Sequence, residues 1–280
     1  MNRASRKVLG PLLFYVLGLL VVVFFAFPIF WTFSLSLKDI PEIYRTPLLW
    51  FSPKPHWINY LHVLQTTQIL ANMENSVIIV VATLVLSLAV VLPAAYILSR
   101  RSFRGKGQLM LAMLIFQMIS PIIITIPMYR LFVALHLIDN YAALVIAYAA
   151  IYSPFATWFM KGYFDTIPQA MDEAATVDGC SRLRTLWSII LPVSTPGIAS
   201  VAILTAVQSW SQLILPLILL QRPGLAPISV GLLSFQSTSE NITVHYLAAS
   251  SILAIVPVIV LFVVLQRFIV GALTRGAVKG

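Results

Sequence analysis

Long apolar runs, separated by shorter polar segments, are the dominant pattern along the chain. Six stretches carry almost no charged residues and reach the roughly 20 residues that a helix needs to cross a hydrocarbon core. The pattern therefore predicts an all-α membrane protein with six transmembrane helices, over residues 12–35, 76–98, 109–131, 141–162, 195–220 and 246–268. The first run is too long for the apolar core of a signal peptide, so we expect it to be retained.

Two of the segments between these runs are long enough to have structure of their own. Residues 38–74, which we call the proline-rich segment, combine Pro41, Pro47, Pro53 and Pro55 with Trp and Tyr side chains. Because Trp and Tyr prefer the membrane interface, this segment is predicted to be either a structured cap or a simple aromatic belt. Residues 165–192 mix acidic and basic side chains and are much longer than a connection between two spans requires.

The composition excludes an ordinary soluble globular protein. Hydrophobic residues make up 60% of the chain and charged residues 10%, whereas a soluble domain has roughly 25% charged residues. The single cysteine, Cys180, cannot form an intrachain disulfide, and no His/Cys spacing typical of a metal site is present. We therefore expect no metal site, and we interpret the four histidines as surface or interface residues: His56, His62, His136 and His245.

The basic residues are distributed unequally between the two sides of the predicted membrane protein. One side, which includes both termini, carries 13 Lys and Arg residues and the other carries 5, so the whole net charge of +9 lies on one side. Since cytoplasmic segments are enriched in Lys and Arg, we expect the N- and C-termini to be cytoplasmic. Nucleic-acid binding is not expected, because these residues flank separate helix ends and do not form one patch.

The segment 165–192 is predicted to be a helix, a turn and a second helix. Pro168 suits the first turn of a helix, and Asp172 and Glu173 follow near its positive end. The pair Asp178-Gly179 supplies a turn, after which Ser181 can cap the second helix. A patterned excursion of this length favours a docking role over a simple connection.

The same segment contains a recognisable motif. It reads Glu173-Ala174-Ala175, then Gly179 after three residues, Ile189 after nine more, and Leu191-Pro192, with Asp178 also in place. This pattern resembles the EAA loop of ABC-importer membrane subunits, and we call residues 165–192 the EAA segment. Further similarity along the whole chain, including Tyr96 and Arg100, narrows the resemblance to carbohydrate permeases like the six-span subunit of the maltose transporter.

The resemblance implies a single permease domain, residues 1–280, with the type I ABC importer fold in a bacterial plasma (inner) membrane. The EAA segment would form a coupling helix that sits in a cleft of an ATP-hydrolysing subunit. Glu173 would anchor it, Gly179 would allow the turn, and Ala174 and Ala175 would admit close packing. The implied partners are a second permease, two ATP-binding subunits and an extracytoplasmic solute-binding protein.

The chain itself is not expected to bind a cofactor or to be an enzyme. It has no GxxxxGK[ST] segment to hold phosphates, so ATP and Mg²⁺ are expected on the partner subunits. A membrane-embedded enzyme would require a convergent catalytic set, and none is present. A channel would not require the EAA segment. The implied cargo is a sugar, with a polyol or a glycerol-phosphate compound as the alternative.

Polar residues near the middle of the predicted spans are neutral, which argues against an ion-driven carrier. The candidates for a translocation path are Gln117, Gln208, Trp210, Ser211 and Gln212. Amides and an aromatic face could bind a pyranose, but the same residues could instead hydrogen-bond between helices or to the second permease. The sequence around Trp210 also lacks the acidic residue that is usual in the family, so the resemblance does not identify which residues contact the substrate.

Overall fold

A computed structural model of the chain describes the backbone of residues 3–235 and 244–277, and the side chains of residues 13–120, 122–235 and 244–266. Within these residues the regular structure is helical and contains no strand. The α-helices are α1 (Arg3–Ser36), α2 (Ile40–Ile43), α3 (Ile58–Thr66), α4 (Ile69–Arg100), α5 (Lys106–Gln117), α6 (Pro121–Ala134), α7 (Tyr141–Asp165), α8 (Ala170–Val177), α9 (Arg182–Thr185), α10 (Leu191–Val193), α11 (Thr195–Ser211), α12 (Ile214–Leu219), α13 (Ile228–Gly231) and α14 (Val244–Ala277).

Four of these helices are long and apolar enough to cross a membrane singly. They contain the stretches Leu13–Ser36, Ile69–Arg100, Tyr141–Asp165 and Val244–Gln266. Two bent pairs meet the same test when each pair is taken together: Lys106–Gln117 with Ile122–Ala134, and Arg182–Val193 with Thr195–Ser211. The described residues therefore provide four single spans, or up to six if each bent pair is one span.

Two of the predicted spans are broken where the sequence analysis expects a continuous helix. The predicted span 109–131 is split between α5 and α6, whose axes differ by 96°. Ser120 is extended and Pro121 opens α6, since a residue before proline avoids the helical region and proline itself suits a first helical turn. The predicted span 195–220 is interrupted at Gln212, which is also extended (φ −69°, ψ 125°).

The helices group into two compact units. The first unit comprises the chain up to Ile69 and Leu232–Val256, and the second comprises Leu70–Gly231 and the chain from Pro257. In the first unit, the apolar side chains of α1 between Leu13 and Phe25 are exposed, as expected for a helix surface that faces lipid.

The proline-rich segment is held to the end of α1 by hydrogen bonds within the first unit. The side-chain amide of Asn59 donates to the carbonyls of Ser36 and Lys38, at 2.9 and 3.0 Å. The backbone N–H of His56 donates to the carbonyl of Leu37 at 2.9 Å. The proline-rich segment thus folds back on α1, and the hydroxyls of Ser36 and Tyr60 lie 2.6 Å apart.

The second unit contains two clusters of buried apolar residues. One joins α4 and α7 to the EAA segment and α11, and its most buried members include Val91, Met160, Phe164 and Ile190. The other joins α4, α6, α7 and α12 around Tyr148. The first cluster is the platform that positions the EAA segment.

A single π-helical turn, Leu186–Ile190, connects α9 to α10. The N–H of Leu191 donates to the carbonyl of Leu186, five residues earlier. Single π turns within α-helices are uncommon and are often found at functional sites.

Candidate functional site

The EAA segment folds as a helix, a tight turn and a second helix. Asp172 and Glu173 lie in the first turn of α8, where their charges favour the helix dipole. The helix ends at Val177, and Gly179 has φ +75°, a backbone conformation that glycine adopts without steric cost. The Ser181 hydroxyl then accepts the N–H of Arg184 and caps α9, as the sequence analysis expects.

One face of the EAA segment is buried against the rest of the second unit. Ala175 and Leu186 are each 1% exposed and Ile190 is fully buried. Leu191 is also buried, whereas Ile189 is half-buried and Pro192 is exposed. Leu186, Ile190 and Leu191 join the cluster around Phe164, so this apolar side of the segment is already covered within this chain.

An ionic clamp fixes α8 to the end of α4. The Asp172 carboxylate accepts the Tyr96 hydroxyl at 2.5 Å and the Arg100 Nε–H at 2.9 Å. The same guanidinium donates through Nη1 to the carbonyl of Phe164 in α7, at 3.0 Å. Charge-assisted hydrogen bonds are stronger than neutral ones, and these connect three helices through three side chains. We call Tyr96, Arg100 and Asp172 the α8 clamp.

The opposite face of the EAA segment is exposed. It presents Glu173, Ala174, Asp178 and Gly179, together with Val177, which is 88% exposed. Leu183 on α9 is also exposed. The exposed face of the EAA segment therefore combines acidic, small and apolar side chains.

The two alanines of the motif lie in different environments. The sequence analysis expects Ala174 and Ala175 to admit close packing by a partner subunit. Ala174 is exposed on α8, but Ala175 is 1% exposed and packs inside this chain. The small side chain of Ala175 therefore lets α8 approach its own platform.

A cleft of about 580 Å³ opens beside the clamp, between the end of α4 and the EAA segment. We call it the EAA cleft. Apolar atoms, including those of Ile97 and Leu186, make up the larger share of its surface, and five charged residues also line it: Arg100, Arg101, Asp172, Glu173 and Arg182.

The five candidates for a translocation path do not form one group. Gln117 and Gln208 line a cavity of about 240 Å³, together with Phe116, Tyr152 and Phe155. We call this the glutamine cavity. Trp210, Ser211 and Gln212 are not part of its lining, so its aromatic surfaces come from residues that the sequence analysis did not single out.

Gln212 and Ser211 have structural partners at the break between α11 and α12. The Gln212 side-chain oxygen accepts the N–H groups of Leu213 and Ile214, at 3.0 and 3.2 Å. The backbone carbonyl of Gln212 accepts a hydrogen bond from the Ser229 hydroxyl at 2.7 Å. The Ser211 hydroxyl donates to the carbonyl of Val207 at 2.8 Å. The Gln212 side chain therefore satisfies backbone N–H groups that the start of α12 would otherwise leave unpaired, whereas the Ser211 hydroxyl bonds back to its own helix.

Comparison with known proteins identifies the family of this chain. The family described as binding-protein-dependent transport system inner membrane component matches residues 91–275. The chain belongs to this family. As a member of this permease family it is a transport subunit and not an enzyme, and its apolar helices make it a multi-pass membrane protein.

Two relatives show what kind of protein this permease is similar to. It is 37% identical over 207 residues to the maltodextrin transport system permease protein MdxG of Bacillus subtilis, covering 74% of each chain. It is 28% identical over 272 residues to the sulfoquinovosyl glycerol transport system permease protein SmoH of Agrobacterium fabrum, covering 97% of this chain and 95% of that one. The predicted relationship to sugar ABC importer permeases is confirmed.

The fold also matches a chain from a crystal structure of a bacterial ABC transporter involved in the import of the acidic polysaccharide alginate. The TM-score is 0.80 at 23% identity, and the match covers 95% of this permease and 98% of that chain. The predicted all-α permease fold is therefore confirmed.

The clamp is the part of the site that sequence reasoning missed. From the sequence alone, Tyr96 and Arg100 stand out only for their resemblance to a family pattern, and Asp172 only for its place near the positive end of a helix dipole. The available signal is that Tyr96 and Arg100 are four residues apart near the end of an apolar helix, and so share one face. Nothing in the spacing indicates that their partner lies 76 residues away from Tyr96.

Proposed function

We propose that this permease is the membrane-spanning subunit of an ATP-driven importer that receives a sugar from an extracytoplasmic binding protein. In this proposal it works with a second permease and two subunits that hydrolyse ATP. Support comes from the family description, which names dependence on a binding protein, and from relatives whose names refer to maltodextrin and to sulfoquinovosyl glycerol.

The observation that carries the proposal is the two-sided construction of α8. Its outward face offers Glu173 and Ala174 for docking, while Asp172 on its other side is bonded to α4. A force applied to the exposed face by an ATPase subunit would therefore reach α4 through the α8 clamp, and α7 through Arg100. In this proposal Glu173 anchors the docked subunit, and Gly179 provides the turn that exposes α8.

The expected orientation supports the same arrangement. The EAA segment lies on the side that carries 13 of the 18 Lys and Arg residues, which is the side expected to be cytoplasmic. ATP is available there, so ATP and Mg²⁺ would bind to the partner subunits next to α8. Both termini would also be cytoplasmic, in the plasma membrane of a bacterium.

The glutamine cavity is the proposed contribution of this chain to the solute path. Its lining has two amides and three aromatic rings and contains no charged residue. Amides hydrogen-bond sugar hydroxyls, and aromatic rings offer an apolar face to a pyranose. A glycerol-phosphate cargo would instead call for a cation near the phosphate, so the cavity favours a neutral sugar or polyol. In this proposal Trp210, Ser211 and Gln212 shape the helix break beside the path.

The experiment that tests the coupling role is uptake and ATP hydrolysis by the complete transporter reconstituted in liposomes. Glu173→Lys should abolish the stimulation of ATP hydrolysis by the loaded binding protein, because it reverses the charge on the docking face. Lys54→Glu, a charge reversal on an exposed residue of the proline-rich segment, is the matched control and should leave stimulation intact. Normal stimulation in Glu173→Lys would rule out the proposed docking role.

A further inference from the structure

Three side chains with metal-binding atoms converge in the proline-rich segment of the first unit. They are Asp39, Glu42 and His56, whose possible ligand atoms all lie within 4.8 Å of one another. His56 Nε2 is 3.9 Å from Asp39 Oδ2. The group combines one imidazole with two carboxylates, which is a common ligand chemistry for Zn²⁺.

The backbone holds these three side chains in place. Asp39 caps α2 by accepting the N–H of Glu42 at 2.9 Å, which leaves its second oxygen turned toward His56. The backbone N–H of His56 donates to the carbonyl of Leu37 and so fixes the backbone at His56. Glu42 is oriented by the Ser52 hydroxyl, which donates to its Oε1 atom at 2.9 Å. One hydrogen bond within the group and two with Leu37 and Ser52 outside it thus hold the three residues in place.

A second observation points to a cation at this position. The other carboxylate oxygen, Oε2 of Glu42, is enclosed and has no hydrogen-bond donor. Leaving such an oxygen unpaired costs about 1–3 kcal/mol, more for a charged group. A metal ion would occupy the space between its ligands and would give this oxygen the direct partner that it lacks.

The net charge of the surrounding side chains is compatible with a divalent cation. Lys38 faces Glu42 from the end of α1, and its ammonium is buried over the Trp31 ring at 4.7 Å. Burial lowers the pKa of Lys38 and Glu42 raises it. Two carboxylates and one ammonium sum to a charge of −1, so the group retains a net attraction for a cation.

Two further histidines of the first unit lie near the same carboxylates. His245 is 6% exposed, its Nδ1 atom has no hydrogen-bond partner, and it is within electrostatic range of Asp39, His56 and His62. His62 stacks on the Tyr246 ring, with centroids 4.4 Å apart. This part of the first unit is therefore rich in imidazole nitrogen, which transition metals prefer and Ca²⁺ does not.

We propose that Asp39, Glu42 and His56 form a Zn²⁺ site that joins the start of α2 to the turn before α3. At Zn–ligand distances of about 2.0–2.2 Å, tetrahedral ligand atoms are roughly 3.4 Å apart, so His56 and Asp39 would approach by about 0.5 Å and the widest pair by at most about 1.4 Å. Three protein ligands leave the fourth position to water. Bound metal would close the loop between Asp39 and His56 and so hold the proline-rich segment to α1.

Sequence spacing does not indicate this site. The sequence analysis expects no metal site and interprets His56 as a surface residue. Asp39 and His56 meet only because the chain folds back to bond Leu37, across a stretch that contains four prolines, and that return is not encoded in any short motif.

Zn²⁺ titration of the purified full-length chain, in detergent and without a histidine tag, tests the proposal. Calorimetry should give one site, and His56→Gln and Glu42→Gln should each weaken binding by more than about tenfold, since even outer-shell partners of metal ligands contribute 10–100-fold. His136→Asn, which alters a histidine of the second unit at a positive φ that asparagine tolerates, should bind like the parent.

A second readout covers the case in which a variant folds poorly. Co²⁺ in place of Zn²⁺ should give the intense visible absorption of a four-coordinate ion in the parent chain and in His136→Asn, but not in Asp39→Asn. That substitution keeps the cap of α2, because asparagine caps helices as well as aspartate does. Absence of Zn²⁺ binding by the parent at 100-micromolar concentrations (about −5.5 kcal/mol), or equal binding by His56→Gln, would overturn the proposal.

Discussion

The EAA cleft and the glutamine cavity are both concave regions of the second unit, yet only the cleft has charged side chains in its lining. The cleft has five charged residues in its lining, and the α8 clamp beside it joins charged groups at hydrogen-bond distance. The cavity is lined by two amides, aromatic rings and aliphatic side chains, without a charged residue. The cleft is about 580 Å³ in volume and the cavity about 240 Å³.

This difference matches two different physical tasks. A region that transmits force between helices benefits from strong, directional bonds, and ion pairs with hydrogen bonds supply them. A region that lets a neutral solute pass must bind weakly enough to release it, and uncharged hydrogen-bonding groups suit that requirement. In the proposed function, the cleft couples and the cavity conducts.

The largest expected effect comes from breaking the α8 clamp. Asp172→Ala leaves the Arg100 guanidinium, whose side chain is 11% exposed, without its carboxylate partner. Removing one partner of a buried ion pair costs about 3–5 kcal/mol, so we expect this largely buried pair to lose about 3 kcal/mol of unfolding free energy. Unfolding of the purified protein in mixed micelles measures this change in free energy. A loss below about 1 kcal/mol would contradict a stabilising role for the clamp.

A neighbouring ion pair provides the matched control for the clamp. Lys161 and Asp165 are paired at 2.5 Å, but the Asp165 side chain is 39% exposed. Because exposed pairs contribute about 0–1 kcal/mol, Asp165→Asn should reduce the unfolding free energy by less than about 1 kcal/mol. Equal effects from the two substitutions would mean that burial does not distinguish the clamp.

The next effect is steric and concerns the packing of α7 against α11. Gly197 of α11 lies so close to α7 that a Cβ atom would come within 2.6 Å of Cγ of Tyr163. Gly197→Ala should therefore destabilise the protein by about 2 kcal/mol through overpacking. Gly162→Ala is the control, since a Cβ there meets nothing within 4 Å. Thermal unfolding of the two variants should separate them, and similar transitions would contradict the close approach of α7 and α11.

A smaller effect is expected at the turn that exposes α8. Gly179 has φ +75° and open space around its Cα atom, so a substitution acts through backbone conformation alone. Gly179→Ala should cost about 1 kcal/mol, and Gly179→Asn should cost less because asparagine tolerates the left-handed region. Comparison of their unfolding free energies checks this ranking. Equal costs would indicate that the turn changes conformation.

The smallest effect on stability, but a clear one on transport, is expected in the glutamine cavity. Gln208→Leu should leave the unfolding free energy within about 0.5 kcal/mol of the parent, since the residue is exposed. Loss of one hydrogen bond to a sugar, about 1 kcal/mol, should raise the half-saturation concentration for uptake about fivefold. Ser211→Ala, which lies outside the cavity lining, should not change it. Unchanged uptake by Gln208→Leu would remove the cavity from the solute path.

The parts of the fold that could be predicted are those with a strong local signal. Apolar runs longer than a bilayer is thick locate the long helices, and the Glu173-Ala174-Ala175 motif with Gly179 locates the turn after α8. These features depend on spacing within one short stretch of chain. Periodicity and turn chemistry therefore suffice for them.

The parts that could not be predicted depend on alternatives that a sequence leaves open. Pro121 could have kinked a continuous span, but it opens a new helix after the extended Ser120. Gln212 could have faced a solute, but its side chain caps the start of α12. The bond between Tyr96 and Asp172 requires two distant helices to meet, and no local pattern encodes that meeting.

The π turn at Leu186–Ile190 changes how the following residues are rotated about the helix axis. A turn closed over five residues holds one residue more than an α-helical turn, and that extra residue rotates the next helix by about 100° relative to an uninterrupted α-helix. Ile190 and Leu191 are consecutive, yet both are buried in the same cluster. The separation between Gly179 and Leu191-Pro192 includes this extra residue, which therefore helps to set the direction in which Leu191 and Pro192 point relative to the exposed face of α8.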